Sequence, residues 1–285
     1  MRHPAESVLN ALTFHPERPI TMTPERFGLD YEDLWVTAAD GARINAWFVR
    51  AERPIGHVLY AHGNAGNIGG RSPVLALLAA AGLDVLTFDY RGYGRSSGRP
   101  HERGLYLDAR AARRALLERP GVDPERVVYL GKSLGGGVLT ELAVTHPPAA
   151  MVLMSTFTGL RAVGHAVYPF IPKMLVPDAF PSERRIRSVH APVFVMHGDA
   201  DELVPVEMGR ALHAAAPGPK RLLIYPGAGH NTLITIPGWS GTVAGWVREV
   251  LTAAEPIRAS DAADACGASR SPGRAVIRSG PRRGG

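Results

Sequence analysis

The chain has 285 residues, of which 45% are apolar and 20% charged, with a formal net charge of +6. This balance excludes a disordered chain and suits one large domain or two small ones. Six arginines against three acids from Glu255 onward put +3 of the charge in the last residues, which leaves the rest too dilute for a nucleic-acid surface.

The elements follow an alternating pattern from residue 32 onward. Glu32 to Thr37 and Arg43 to Arg50 flank Ala39-Asp40-Gly41, which predicts a hairpin with an Asp-Gly turn. His57 to Ala61 reads as a short strand, followed by a helical stretch to Ala81. Asp84 to Asp89 is a second core strand, and residues 102–118 form a helix that stops at Pro120-Gly121. Arg126 to Leu130 is the next strand, with a Gly-rich helix from Leu134 to about Thr145. Ala150 to Met154, Pro192 to Met196 and Arg221 to Tyr225 complete the strands. The last helix sets Trp239, Val243, Trp246, Val247, Val250 and Leu251 on one face. Such alternation predicts an α/β fold, a mostly parallel sheet with helices on both faces. Ligands bind such sheets at the C-terminal ends of the strands.

Those strand ends carry the chemistry. Gly131-Lys132-Ser133-Leu134-Gly135 follows a strand and opens a helix, the context that G-x-S-x-G needs to project a serine hydroxyl from a strained turn. A decoy, Gly94-Arg95-Ser96-Ser97-Gly98, begins five residues past Asp89 and has no helix to fix it. Ser133 is therefore the expected nucleophile and Ser96 a turn serine. A serine needs a base, and the base an orienting acid. His230, in the glycine-rich loop after Tyr225, is the expected base. Asp201 is the expected acid, because it lies farther along its loop than Asp199, whose carboxylate can cap the turn. Glu202 is read as solvated. The oxyanion needs two donors: the backbone N–H of Leu134 and one from His62-Gly63-Asn64-Ala65-Gly66-Asn67, with Asn64 favoured and Ala65 second. His62 is read as a structural loop histidine.

The segments His62–Asn67, Phe88–Ser96, Gly131–Gly136, His197–Asp201 with Val204-Pro205, and Gly227–His230 together resemble the α/β-hydrolase superfamily. Within it they are most similar to the bud-emergence (Bem) type of serine hydrolases, whose animal relatives include protein depalmitoylases. The resemblance covers about residues 30–252. It implies Ser133, Asp201 and His230 as nucleophile, acid and base, Leu134 and Asn64 as oxyanion donors, and hydrolysis of an ester or thioester. Lys132 stands where an arginine is expected. Many relatives begin with a membrane-anchoring apolar segment, and this chain starts after where it would sit.

Other chemistries find no support. There is no G-x-G-x-x-G at a strand–helix turn and no phosphate-binding G-x-x-x-x-G-K-[ST]. His57 and His62 lie at opposite ends of one strand with no third ligand nearby, so neither a metal nor any other cofactor is expected. The longest apolar run, Val74 to Leu83, is far short of the roughly 18 residues that span a bilayer. No apolar h-region follows Met1-Arg2-His3, and the single Cys266 cannot form an internal disulfide. The expectation is a cytoplasmic serine hydrolase with a small or acylated substrate, no nucleic-acid partner and no integral membrane segment. The competing readings are a peptidase or amidase on the same machinery and a non-catalytic binding module.

Three segments complete the reading: an extension over residues 1–29, a hydrolase domain over 30–254, and a tail over 255–285 too poor in large apolar residues to fold. Within the domain about 37 residues separate Met154 from Pro192, too many for an ordinary connection. Residues 155–190 are therefore read as a cap. Its run from Tyr168 to Phe180, stiffened by Pro169, Pro172 and Pro177, would form an apolar wall for short- to medium-chain acyl groups. The blander reading is that this run only closes the core or a subunit interface.

Overall fold

The computed structural model describes residues 13–167 and 178–254. The first residues of the extension, residues 168–177 of the cap and the tail lie outside the described residues.

The hairpin forms as the Asp-Gly signal predicts. Strands β1 (Tyr31–Thr37) and β2 (Arg43–Val49) pair antiparallel, from Tyr31 opposite Val49 to Thr37 opposite Arg43. Gly41 takes φ 86° in the turn, a conformation that costs glycine no Cβ clash. The remaining sheet strands are β3 (Gly56–Ala61), β4 (Leu83–Phe88), β5 (Val127–Lys132), β6 (Ala150–Met154), β7 (Val193–Gly198) and β8 (Lys220–Tyr225). Their order across the sheet is β1-β2-β4-β3-β5-β6-β7-β8. From β4 to β8 every neighbouring pair is parallel, and β2 alone runs the other way, antiparallel to both β1 and β4. Strands β3 to β7 are buried along their whole length. Cover on both faces explains why they read as continuous apolar runs.

The helices are α1 (Ser72–Ala80), α2 (Glu102–Leu117), α3 (Leu134–Thr145), α4 (Leu160–Val167), α5 (Ser182–Ile186), α6 (Val206–Ala215) and α7 (Trp239–Ala254). α1 and α7 bury Val74, Leu75, Leu78, Trp239, Val243 and Trp246 on one face of the sheet. α2, α3 and α6 bury Leu105, Ala109, Val138, Leu142 and Leu212 on the other. The stripe on α7 is as the spacing predicts, and Trp246 stacks on Phe194 of β7 at 5.2 Å. The sequence reading did not single out α6. Among the described residues no helix is long and apolar enough to cross a membrane.

Residues 13–29 are laced onto the domain rather than trailing from it. Phe14 is buried, 6.3 Å from the ring of Phe180, and His15-Pro16 pairs in parallel with Ala65-Gly66. Asn67 Nδ2 donates to the carbonyls of Glu17 at 3.1 Å and Pro19 at 2.8 Å. The chain order reverses between β3 and β5, so the loops that follow these two strands open on one crevice. One loop carries the oxyanion segment and the other Ser133.

Candidate active site

Ser133 follows β5 and precedes α3, with φ 51° and ψ −113°. An L-residue rarely adopts this backbone, which costs on the order of 1–3 kcal/mol. Packing enforces it. Ser133 N–H donates to the Met154 carbonyl at 2.8 Å. A Cβ on Gly135 would stand 2.0 Å from the Ala61 carbonyl oxygen, and one on Gly131 would stand 2.5 Å from Gly136 Cα. The glycines on either side thus let β5, α3 and β3 close around the serine, and Leu134 heads the helix as the sequence predicts.

The acid and base loops meet. His230 Nδ1 lies 2.8 Å from Asp201 Oδ2 and 3.1 Å from Oδ1, with both residues buried. This contact orients the imidazole, with Nδ1 as donor and Nε2 as the unprotonated nitrogen of the neutral ring. Asp201 Oδ1 also accepts from the N–H groups of Leu203 at 3.0 Å and Val204 at 2.8 Å. Burial opposes the charge of Asp201, but hydrogen bonds from His197, His230 and Val204 N–H outweigh it and hold the carboxyl well below the usual carboxylate range. Asp199 is exposed and accepts Gly227 N–H at 2.6 Å. It is a turn cap and does not reach the histidine. Glu202 is exposed.

The loop after β3 packs on the elbow, where a Cβ on Gly63 would lie 3.8 Å from Ser133 Cβ. Side chains fix the neighbouring Asn64: its Nδ2 donates to the Thr13 carbonyl at 2.7 Å, and Tyr93 Oη donates to its Oδ1 at 2.8 Å. Arg71 also donates to the Ala65 carbonyl. Tyr93 lies in a loop whose base is an ion cluster, with Arg91 Nη2 2.8 Å from Asp108 Oδ1 and Nη1 2.6 Å from Asp40 Oδ2.

Ser96 and His62 both sit in structural roles. Ser96 is fully buried, donates to the Asp89 carbonyl at 2.8 Å and accepts Asn45 N–H at 2.9 Å. His62 is fully buried between Tyr90 and Tyr93, and its Nδ1 donates to the Gly63 carbonyl at 2.6 Å. Burial pushes its pKa down, which keeps the ring neutral.

Sequence reasoning missed two features. His197 is buried, with Nε2 3.3 Å from Asp201 Oδ2 and 2.8 Å from the Val204 carbonyl; its place four residues before Asp201 was the available signal. Lys132 Nζ donates to Asn231 Oδ1 at 2.7 Å, which ties the residue before Ser133 to the residue after His230. Among the described residues no group of three His, Cys, Asp or Glu side chains is arranged to hold a metal ion.

A family model of the alpha/beta hydrolase fold matches residues 56–174. An uncharacterised protein of Mycobacterium tuberculosis, Rv2307c, is 48% identical over 202 residues, 70% of this chain and 72% of that protein. The chain belongs to the α/β-hydrolase family. The uncharacterised protein YfhR of Escherichia coli is 32% identical over 208 residues, 70% of this chain and 73% of its own. Among solved structures, the α/β hydrolase superposes on the Pyrococcus furiosus esterase Pf2001 with a TM-score of 0.69 at 21% identity, covering 83% of this chain and 99% of that one. An acetyl xylan esterase from Paenibacillus sp. R4 gives 0.65 at 18% identity, covering 86% and 92%. At these identities the two esterases share its fold.

Proposed function

We propose that the protein is a serine hydrolase that cleaves a carboxylic ester or thioester through an acyl-enzyme on Ser133. The observation that carries this reading is the strained serine at the end of β5, with a buried Asp201–His230 pair on the loops after β7 and β8. In the proposed reaction Ser133 Oγ bonds to the substrate carbonyl carbon and its proton passes to His230 Nε2. Asp201 stabilises the resulting imidazolium. The N–H groups of Leu134 and Asn64 take the oxyanion. Collapse breaks the bond to the alcohol or thiol, which leaves with the proton from His230. Water then repeats the sequence and releases the acid. Every group used belongs to the chain, so the reading includes no cofactor.

The esterase names of the two solved neighbours support an ester substrate, and the five motifs support kinship with the bud-emergence type. A cytoplasmic place and a hydrolase domain over 30–254, with a cap over 155–190, belong to the same reading. The described ends of the cap refine it. Phe157 and Phe180 are buried in the core, their rings 6.4 Å apart, so these two aromatics belong to the core and not to an acyl wall. Between α4 and α5 lies a groove of about 580 Å³ whose lining mixes charged side chains such as Arg161, Asp178 and Glu183 with Gly159, Ala162 and Pro181. The proposed acyl wall concerns the apolar sequence from Tyr168 to Val176, which lies outside the described residues.

The test is kinetic. Ser133→Ala and His230→Ala should each lose on the order of 10³ to 10⁶ in kcat on a p-nitrophenyl ester, and Ser133→Ala should no longer react with a fluorophosphonate probe. Retained turnover in Ser133→Ala would exclude the mechanism.

A further inference from the structure

Lys132 ends β5 and is buried, 6% exposed. Among the described residues no carboxylate lies within ion-pair distance of its ammonium, whose hydrogen-bond acceptor is Asn231 Oδ1 at 2.7 Å. A buried cation without a close counter-charge is expensive, and an apolar side chain of similar length would avoid that cost. Its place explains its use. Lys132 adjoins Ser133 and Asn231 adjoins His230, so this one contact bridges the two segments whose spacing decides whether a proton can pass between them.

We propose that Lys132 is a positioning residue: its hydrogen bond to Asn231 ties the loop carrying His230 to the elbow carrying Ser133 and so holds the base against the nucleophile. The inference rests on the triad reading above. Lys132 does not touch the reacting atoms. It acts through the His230 loop.

The groups around Lys132 give this tether a pH dependence. The charges that face it are Arg71, which precedes α1, and Asp201 on the loop after β7; Gly63 of the β3 loop packs against its stem, and His230 flanks its acceptor. Burial first, then the charge of Arg71, push its pKa down to about 8, with Asp201 pulling the other way. Below that pH the ammonium makes a charge-assisted bond; above it the neutral amine makes a weaker one. The sign for stability is opposite. The folded pKa lies below the unfolded value of 10.5, so the charged lysine destabilises the fold at neutral pH, and the penalty fades as pH rises from about 8 towards the unfolded value.

The experiment measures kcat, KM and Tm for Lys132→Met, Lys132→Arg, Asn231→Leu and the Met/Leu double variant, with Ser133→Ala alongside. Lys132→Met should lower kcat tenfold or more, change KM less than about threefold, and leave Tm at pH 7 equal or higher. Asn231→Leu should match it in kcat and KM but with a lower Tm, because the buried ammonium loses its acceptor, and the double variant should have a kcat no worse than the poorer single one, since both remove the same contact. Lys132→Arg should restore most of kcat. The wild-type kcat should decline as pH passes about 8, and the arginine variant should lack that decline. Wild-type kcat in Lys132→Met, with Ser133→Ala inactive, would leave the triad standing and overturn this proposal. So would a parallel fall of Tm and kcat in Lys132→Met and Lys132→Arg alike, which would mark a packing role. Turnover by Ser133→Ala would instead remove the triad reading itself.

Discussion

Asp199 and Asp201 are two residues apart on one loop and differ in everything that matters for catalysis. Asp201 is buried and bonded to His230, whereas Asp199 is exposed and caps the turn at Gly227. An acid that orients a catalytic imidazole is worth up to about 10⁴ in kcat. Asp201→Asn is therefore expected to lose activity by that order and Asp199→Asn by less than about tenfold, in a side-by-side assay on one ester. The reverse ranking would move the acid to Asp199. Asp201 also contributes to stability. Its carboxyl is held below the usual value of 3.8, so its contribution is present above that pH and is lost as pH falls through the lower folded value. Acid titration of Tm should show a smaller loss below about pH 4 in Asp201→Asn than in the wild type.

The elements hold the site by a few polar anchors set in an apolar frame. The loop after β4 carries Tyr93, whose hydroxyl fixes Asn64, and the loop in turn hangs on Arg91. Arg91 is buried and reaches both Asp108 on α2 and Asp40 in the β1–β2 turn. Burial disfavours its charge, but its hydrogen bonds to Asp40 and Asp108 outweigh that and raise its pKa. Removing one partner of a buried pair leaves a charge without its counter-ion and costs about 3–5 kcal/mol. Asp108→Ala should lower the unfolding free energy by about 3 kcal/mol in urea, Asp40 retaining part of the pairing. A loss below about 1 kcal/mol would show that solvent or Asp40 satisfies Arg91 alone.

At the scale of the molecule, the substrate is decided by what covers the crevice at the ends of β3 and β5. Among the described cap residues Phe157 and Phe180 are buried in the core, and the groove between α4 and α5 mixes charged and apolar groups; the acyl-wall proposal concerns the apolar run in the sequence from Tyr168 onward. If that apolar run lines the site, each added methylene contributes up to about 0.8 kcal/mol, and kcat/KM should rise severalfold over the first few carbons. A p-nitrophenyl series from acetate to octanoate measures this. A flat or falling profile, with peptide amides cleaved faster than any ester, would refute the acyl-wall reading.

The sequence by itself determined the strands, the elbow and the order of the site residues, because these depend on local pattern. Runs such as Val127–Leu130 can only be buried on both faces, and Gly131, Gly135 and Gly136 mark where backbone must approach backbone. The helix Val206–Ala215 went unread because only Gly209 and Leu212 are buried along it, too faint a stripe to stand out. Tertiary structure alone decided the partners. Nothing in the spacing of Lys132 and Asn231, 99 residues apart, marks them as neighbours. Nor does local pattern reveal that Phe14 packs on Phe180, or that His197 shares Asp201 with His230. Local pattern sets which face of an element is buried, whereas long-range pairing depends on how the strands are ordered across the sheet. Here the reversal between β3 and β5 brings together the loops that carry Asn64 and Ser133.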